Sequence, residues 1–240
     1  MDFTFHMPVQ VFSGEGCLKA EGERLRALGR RCVIVTGARA AKASGALDDA
    51  LETLAGAGIE ATVFPGIGPN PLLSQCQAAA YTAETCRADF LLGIGGGSVM
   101  DAAKAAAWLA PNGSTQGAEL MAGRLRQPPL PLALVGTTAG TGSEVSATAV
   151  LTLDRERRKK SVTAPQCYAR YVFADPRYTH SSNRETTVCT ALDAFSHAVE
   201  GWFAPGCGNV ITAFGERALA MVSGGLGWLA EHPGLPDAGM

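Results

Sequence analysis

An apolar run, Phe90-Leu91-Leu92-Gly93-Ile94, leads into Gly95-Gly96-Gly97-Ser98, and from there into an Ala-rich stretch that ends near Ala110. The run reads as a buried strand and the Ala-rich stretch as a helix. Three glycines between a strand and a helix let the backbone approach an anion, and the unpaired N–H groups of the helix start point at it. Ser98 can cap that helix or donate to a phosphate oxygen. This segment limits the chain to folds with a phosphate-sized turn at a strand's carboxyl end, and it implies nucleotide binding. The motif is neither G-x-G-x-x-G nor a P-loop. Asp101 suits a helix N-terminus, whereas Lys104 runs against the dipole and implies a role beyond helix stability.

Other segments repeat the pattern. Cys32 to Thr36 reads as a strand ending at Gly37, Ala38 to Leu54 as a helix, Ile59 to Phe64 as a strand, and Leu72 to Arg87 as a helix. Gly66, Gly68, Pro69, Asn70 and Pro71 form a rigid loop before that helix. Near-continuous apolar strands alternating with helices predict a parallel sheet covered on both faces. In such sheets ligands lie at the carboxyl ends of the strands, where Gly37, Gly66 and Gly95 fall. Leu130 to Val135 is a further strand, followed by the hydroxyl-rich loop Thr137 to Glu144. That loop is either a flexible turn or a second wall of the nucleotide site; two glycine-bearing loops at one sheet edge favour the wall. Val145 to Leu153 and Tyr171 to Phe173 read as strands around a charged turn at Asp154 to Lys160. From Arg184 the pattern is helical, over 185–203 and 210–230. The expected division is an α/β nucleotide-binding domain over 1–180 and the start of an all-helical domain over 181–240. Some 60 residues are too few to bury a good core alone.

With 240 residues, 47% hydrophobic content and a net charge of −2, the chain has the makings of a globular protein with a sizeable core. The one basic cluster, at Arg155, Arg157, Arg158, Lys159 and Lys160, reads as a solvated hairpin, so no nucleic-acid partner is expected. No run approaches the roughly 20 apolar residues of a membrane helix, and the first ten residues do not read as a secretory signal. Seven scattered cysteines without a C-x-x-C pair predict reduced thiols and a cytoplasmic location. Asp193 and His197, at i and i+4, place a carboxylate and an imidazole on one helix face. The arrangement is an ordinary ion pair or half of a divalent-metal site. His232 lies in a linker-like context and is not taken as a ligand.

GGGSVMDAAK (95–104), TTAGTGSEVSATAV (137–150), KKSVTAP (159–165), ADPRYT (174–179) and ALDAFSHAVEG (191–201) occur in this order, with VIVTG (33–37) and GPNP (68–71) before them. Together they resemble the iron-containing alcohol dehydrogenase family, which shares its fold with glycerol dehydrogenase and dehydroquinate synthase. The resemblance implies an NAD- or NADP-dependent oxidoreductase that interconverts an alcohol and an aldehyde or ketone by hydride transfer. Gly95, Gly96, Gly97 and Ser98 would then hold the pyrophosphate. Asp101, Thr137, Thr138, Thr141, Ser146 and Lys159 would line the cofactor cleft, with Asn70 close by. Asp193 and His197 would bind Fe2+, with Zn2+ as the other candidate, and the metal would act as a Lewis acid on the substrate oxygen. A homodimer or larger homo-oligomer is expected by analogy.

Two departures from the family pattern carry expectations of their own. Strictly NAD-preferring members have an Asp where this chain has Gly37; a glycine there leaves room for a 2′-phosphate, with Arg39 nearby, so NADP is expected to be tolerated or preferred. The family also completes its metal site with two histidines downstream of the Asp/His helix. The chain reaches Met240 before that region, so it is expected to be a portion of a longer protein. Three alternatives stand beside the dehydrogenase. One is a metal-free reductase like maleylacetate reductase, which Asp101, Asp193 and His197 speak against. Another is a non-catalytic nucleotide-binding fragment. The third is a lyase of the dehydroquinate synthase type, which shares only the glycine triplet.

Overall fold

The computed structural model describes residues 5–232. The described residues form eight strands and eight α-helices. They are β1 (Gln10–Ser13), α1 (Cys17–Glu21), β2 (Arg31–Gly37), α2 (Ala40–Ala43), α3 (Ala46–Gly56), β3 (Glu60–Ile67), α4 (Leu73–Thr85), β4 (Phe90–Gly95), α5 (Gly97–Leu109) and α6 (Gly117–Met121), then β5 (Leu132–Gly136), β6 (Thr148–Leu153), β7 (Arg158–Thr163), β8 (Tyr171–Ala174), α7 (Arg184–Phe203) and α8 (Asn209–Glu231). Six strands form one parallel sheet in the order β1-β8-β5-β4-β2-β3. The chain leaves β2 toward β3 and returns to β4 on β2's other side. The sheet's topological switch point therefore lies between β2 and β4, whose last residues are Gly37 and Gly95.

Successive side chains of the inner strands go to opposite faces. Val33, Val35, Leu91, Leu134 and Val172 pack under α4 and α5. Cys32, Ile34, Phe90, Leu92, Ile94 and Phe173 pack under α1 and α3. Covering both faces is what makes these strands read as continuous apolar runs. Each buried Leu, Ile or Phe contributes roughly 1.5–3 kcal/mol. Helix α5 rests almost on the sheet: a Cβ at Gly93 would lie 2.8 Å from both Ala103 Cβ and Leu134 Cδ2. Only a small residue fits that gap at position 103, and alanine is also the best helix former.

The structure corrects several expectations. The helix anticipated over 38–54 is two, broken at Ser44 and Gly45, where Gly45 adopts φ +79°. Ser98 does not cap α5; the cap position is Gly96, with no side-chain bond. The charged turn is shorter than its run of basic residues, since Arg158–Thr163 is a strand paired antiparallel with β6. β1, α1 and α6 have no counterpart among the elements the sequence pattern predicts. All seven cysteines are free thiols. Among the described residues no helix is long and apolar enough to cross a membrane.

After β8, Asn183 Oδ1 caps α7 by accepting from the Thr186 N–H at 2.8 Å. Helices α7 and α8 pack on each other as an antiparallel pair. Arg184 closes it by donating to the Leu229 and His232 carbonyls at 2.5 and 2.8 Å. A cation there meets the negative end of α8.

Candidate nucleotide cleft

A cleft of about 450 Å³ lies at the carboxyl edge of the sheet, lined by residues from all three sequence motifs. Gly97, Ser98 and Asp101 come from α5, Asn70 from the loop before α4, Thr141, Ser143 and Ser146 from the loop after β5, Lys159 from β7, and Asp193 and His197 from α7. In the β6–β7 hairpin, Thr152 and Lys159 are directly opposite each other, and both face the cleft with Thr148 and Val150. The hairpin is fastened to the α4 entry. Thr152 N–H donates to the Pro71 carbonyl at 2.8 Å, its hydroxyl to the Asn70 carbonyl at 3.1 Å, and Asp154 accepts from the Ser74 N–H at 3.0 Å.

Five other anticipated residues lie outside this lining. Gly95 and Gly37 end the two strands at the switch point. Gly96 packs against Thr138, where a Cβ would lie 2.8 Å from its Oγ1. A Cβ at Gly97 would lie equally close to Thr141. The turn is thus a cradle closed by two threonines. Val99 and Met100 both donate their N–H groups to the Gly96 carbonyl, which leaves those of Gly97 and Ser98 outside the helix ladder. Ser98 Oγ accepts from the Asn70 N–H at 3.2 Å and joins the two loops. Thr137 is buried, and among the described residues its hydroxyl has no partner. Two free N–H groups and a glycine cradle at the cleft fit the phosphates of a nucleotide.

Lys104, Ser143 and Thr148 form a polar knot beneath the cleft that no single sequence motif assembles. Lys104 is 1% exposed, in the middle of the alanine run of α5. Its ammonium donates to the Thr148 carbonyl at 2.7 Å, Ser143 Oγ at 2.9 Å and Ser146 Oγ at 3.3 Å, and lies 3.5 Å from Asp101 Oδ1. Burial lowers the Lys104 pKa, and the Asp101 carboxylate acts to raise it. Burial likewise pushes the Cys167 thiol, which sits in the same charge environment, up to about 11. One signal for this knot was in the sequence, a single cation inside an alanine run.

The metal expectation meets a two-donor set. His197 Nε2 lies 3.8 Å from Asp193 Oδ1, and both side chains are about half exposed, at 51% and 44%. Among the described residues no third His, Cys, Asp or Glu joins them. His232 is engaged elsewhere: it stacks on Trp228 and bonds the Trp228 carbonyl at 2.8 Å. Two donors do not complete a site for iron or zinc.

Residues 8–176 match the family model for iron-containing alcohol dehydrogenases. The chain is 28% identical over 220 residues to an NAD-dependent methanol dehydrogenase of Bacillus methanolicus, covering 92% of this chain and 58% of that protein. An iron-containing alcohol dehydrogenase of Thermotoga maritima superposes with a TM-score of 0.89 at 35% identity, covering 96% of this chain and 63% of the other. A sulfoacetaldehyde reductase of Bifidobacterium kashiwanohense, solved with NAD+, superposes with a TM-score of 0.88 at 27% identity, covering 97% and 62%. The chain thus spans about three-fifths of the length of these relatives. The matched motifs and the shared sheet show that it belongs to the iron-containing alcohol dehydrogenase family.

Proposed function

We propose that residues up to about 180 bind NAD(H) or NADP(H), and that the protein interconverts a small alcohol and its aldehyde or ketone. The observation that carries this reading is the single cleft joining the α5 cradle, the hydroxyl-lined hairpin wall and the Asp193–His197 pair. Gly97, Ser98 and Thr141 would hold the pyrophosphate, and Asp101, Ser146 and Lys159 would orient the rest of the nucleotide. The nicotinamide, when bound, would supply the hydride chemistry. The dipole of α5 and the Lys159 ammonium both favour an anionic ligand. The names of the relatives, methanol dehydrogenase and sulfoacetaldehyde reductase, point to small substrates. Asp193 and His197 are suited to be two donors of a divalent-metal site at the same cleft. Fluorescence titration with NADH and with NADPH, followed by an assay for alcohol-dependent reduction of NAD+ or NADP+, tests the reading; failure to bind either overturns it.

Gly37 ends β2 beside the switch point with no carboxylate, and Arg39 stands two residues on. NADPH is accordingly expected to bind at least as well as NADH, and binding of NADH alone would refute that. A second reading, a unit that binds nucleotide without turning over substrate, is favoured by the two-donor set. Native mass spectrometry separates the two: bound divalent metal supports the dehydrogenase, nucleotide without metal the binding unit. The same spectrum reads the homo-oligomeric state.

A further inference from the structure

The turn that joins β6 to β7 carries an excess of positive charge. Residues 154–160 hold five cations against two carboxylates, on a chain whose net charge is −2, and every one of them is exposed. Both carboxylates are engaged. Asp154 accepts from the N–H and the hydroxyl of Ser74, in the first turn of α4, so its charge answers the positive end of that helix. Glu156 pairs with Arg158 at 3.1 Å. Among the described residues Arg155, Arg157, Lys159 and Lys160 form no ion pair. Arg157 is also held at φ +51°, with its N–H donating to the Leu153 carbonyl at 2.8 Å. That left-handed conformation is costly for a residue with a Cβ, and glycine would adopt it freely. An arginine kept there points to a use for its charge.

The turn overlooks the cleft. Thr152 and Lys159 stand opposite each other in the hairpin, and both line the cleft. The turn starts two residues after the one and ends two before the other, a rise of roughly 7 Å along a strand. That lies inside the screening distance of about 8 Å at physiological salt. The charges of the cleft itself balance: Asp101 and Asp193 stand against Lys159 and the buried Lys104. Beyond the short reach of the α5 dipole, the field that an approaching anion meets is therefore set by the turn. Resting on the nucleotide-binding reading above, we propose that the β6–β7 turn is an electrostatic arm: Arg155 and Arg157 draw the phosphates of a nucleotide toward the cleft and speed its capture, without holding it once bound. The arm acts more strongly on NADPH, whose 2′-phosphate adds about two negative charges.

The test measures association and dissociation rates of NADH and NADPH by stopped-flow fluorescence, between about 10 mM and about 1 M NaCl. It compares the 240-residue chain with the double variant Arg155→Gln, Arg157→Asn. Asparagine tolerates the left-handed conformation, so the turn keeps its shape. Near the low-salt end the variant is expected to capture NADH about threefold and NADPH about tenfold more slowly, the scale of steered association. Dissociation should stay within about twofold, as for charges at the rim of a site. Near the high-salt end the differences should vanish, because a charge then reaches only about 3 Å. A control pair, Arg30→Gln with Arg87→Asn, removes two cations before β2 and β4, at the amino end of the sheet. It should change association less than about twofold, since steering acts locally. Unchanged association in the arm variant, equal slowing in the control, or a loss confined to dissociation would overturn the inference. Failure of the unaltered chain to bind either nucleotide would overturn the nucleotide reading and the arm with it, a result distinct from any change confined to the variant.

Discussion

Gly97 begins α5, and a methyl group there would press within 2.8 Å of Thr141 Cγ2 and 2.9 Å of its Oγ1. The loop after β5 would have to yield, and with it the cradle. Gly97→Ala is expected to raise the NADH dissociation constant about tenfold, within the cost of overpacking a close contact. Its melting temperature should change little, since the sheet core lies below the turn. A titration and a thermal melt on the same sample check this, and an unchanged dissociation constant would remove the cradle from the binding site. A second single residue makes a stability statement. Asp175 is 1% exposed after β8; it accepts from the Gly16 N–H at 2.7 Å and from Arg177 N and Nε at 3.0 Å. Burial pushes its carboxyl up, but the Arg177 guanidinium and the two backbone N–H groups outweigh that and hold it below the usual value. A carboxyl depressed in the folded state stabilises the protein above its unfolded value and loses that contribution as pH falls through the folded one. Asp175→Asn should therefore cost about 1.5–3 kcal/mol at pH 7, with the gap to the unaltered chain closing below about pH 4. Urea unfolding at pH 7 and at pH 3 measures it; a gap independent of pH would refute the ion pair's role.

At the scale of elements, Gly140 is where the two halves of the chain meet. It adopts φ +156°, and a Cβ would lie 2.3 Å from the Thr190 carbonyl oxygen of α7. Backbone strain and a clash with backbone both exclude a side chain. Gly140→Ala is expected to push α7 away from the loop, and Asp193 and His197 with it. Amide exchange should then speed up about tenfold over 184–203 and stay unchanged in β2 and β4. Uniform exchange across the chain would show that the contact positions nothing. The glycine was visible in the sequence as part of a hydroxyl-rich loop, but its partner was not, because Thr190 is fifty residues away. The inner strands and α5 were legible because burial on both faces leaves them apolar end to end. β1 was not: its four residues are mostly exposed, and they form a strand only by pairing with β8. β7 was hidden by its own charges, Arg158, Lys159 and Lys160, which the pairing with β6 overrides. The site was legible as separate motifs. The knot at Lys104 was not, since it depends on the β6 carbonyl of Thr148 arriving beneath α5.

Across the whole molecule, burial is unevenly shared. Both sheet faces are closed by helices, whereas α7 buries no residue fully and α8 only Leu229. Phe203, Phe214 and Met221 are 84%, 66% and 62% exposed, and Leu192 and Ile211 add to them. A pair of helices that packs mainly on itself is marginal in water. This pair is kept by the Arg184 cap, the Gly140 contact and the Phe5–Phe214 ring pair at 6.3 Å. So much apolar surface on one part of a molecule attracts hydrophobic probes. The 240-residue chain is expected to bind anilinonaphthalene sulfonate while the α/β part is still folded, and its helical pair to melt before the sheet. The double substitution Phe203→Ser and Phe214→Ser should reduce that probe binding by about half while shifting the sheet transition little, since exposed positions carry about 0.5 kcal/mol or less each. Dye fluorescence followed against far- and near-ultraviolet circular dichroism reads both transitions. A single coincident melt with no dye bound beforehand would mean that these side chains are covered in solution, and that the two halves unfold as one cooperative unit.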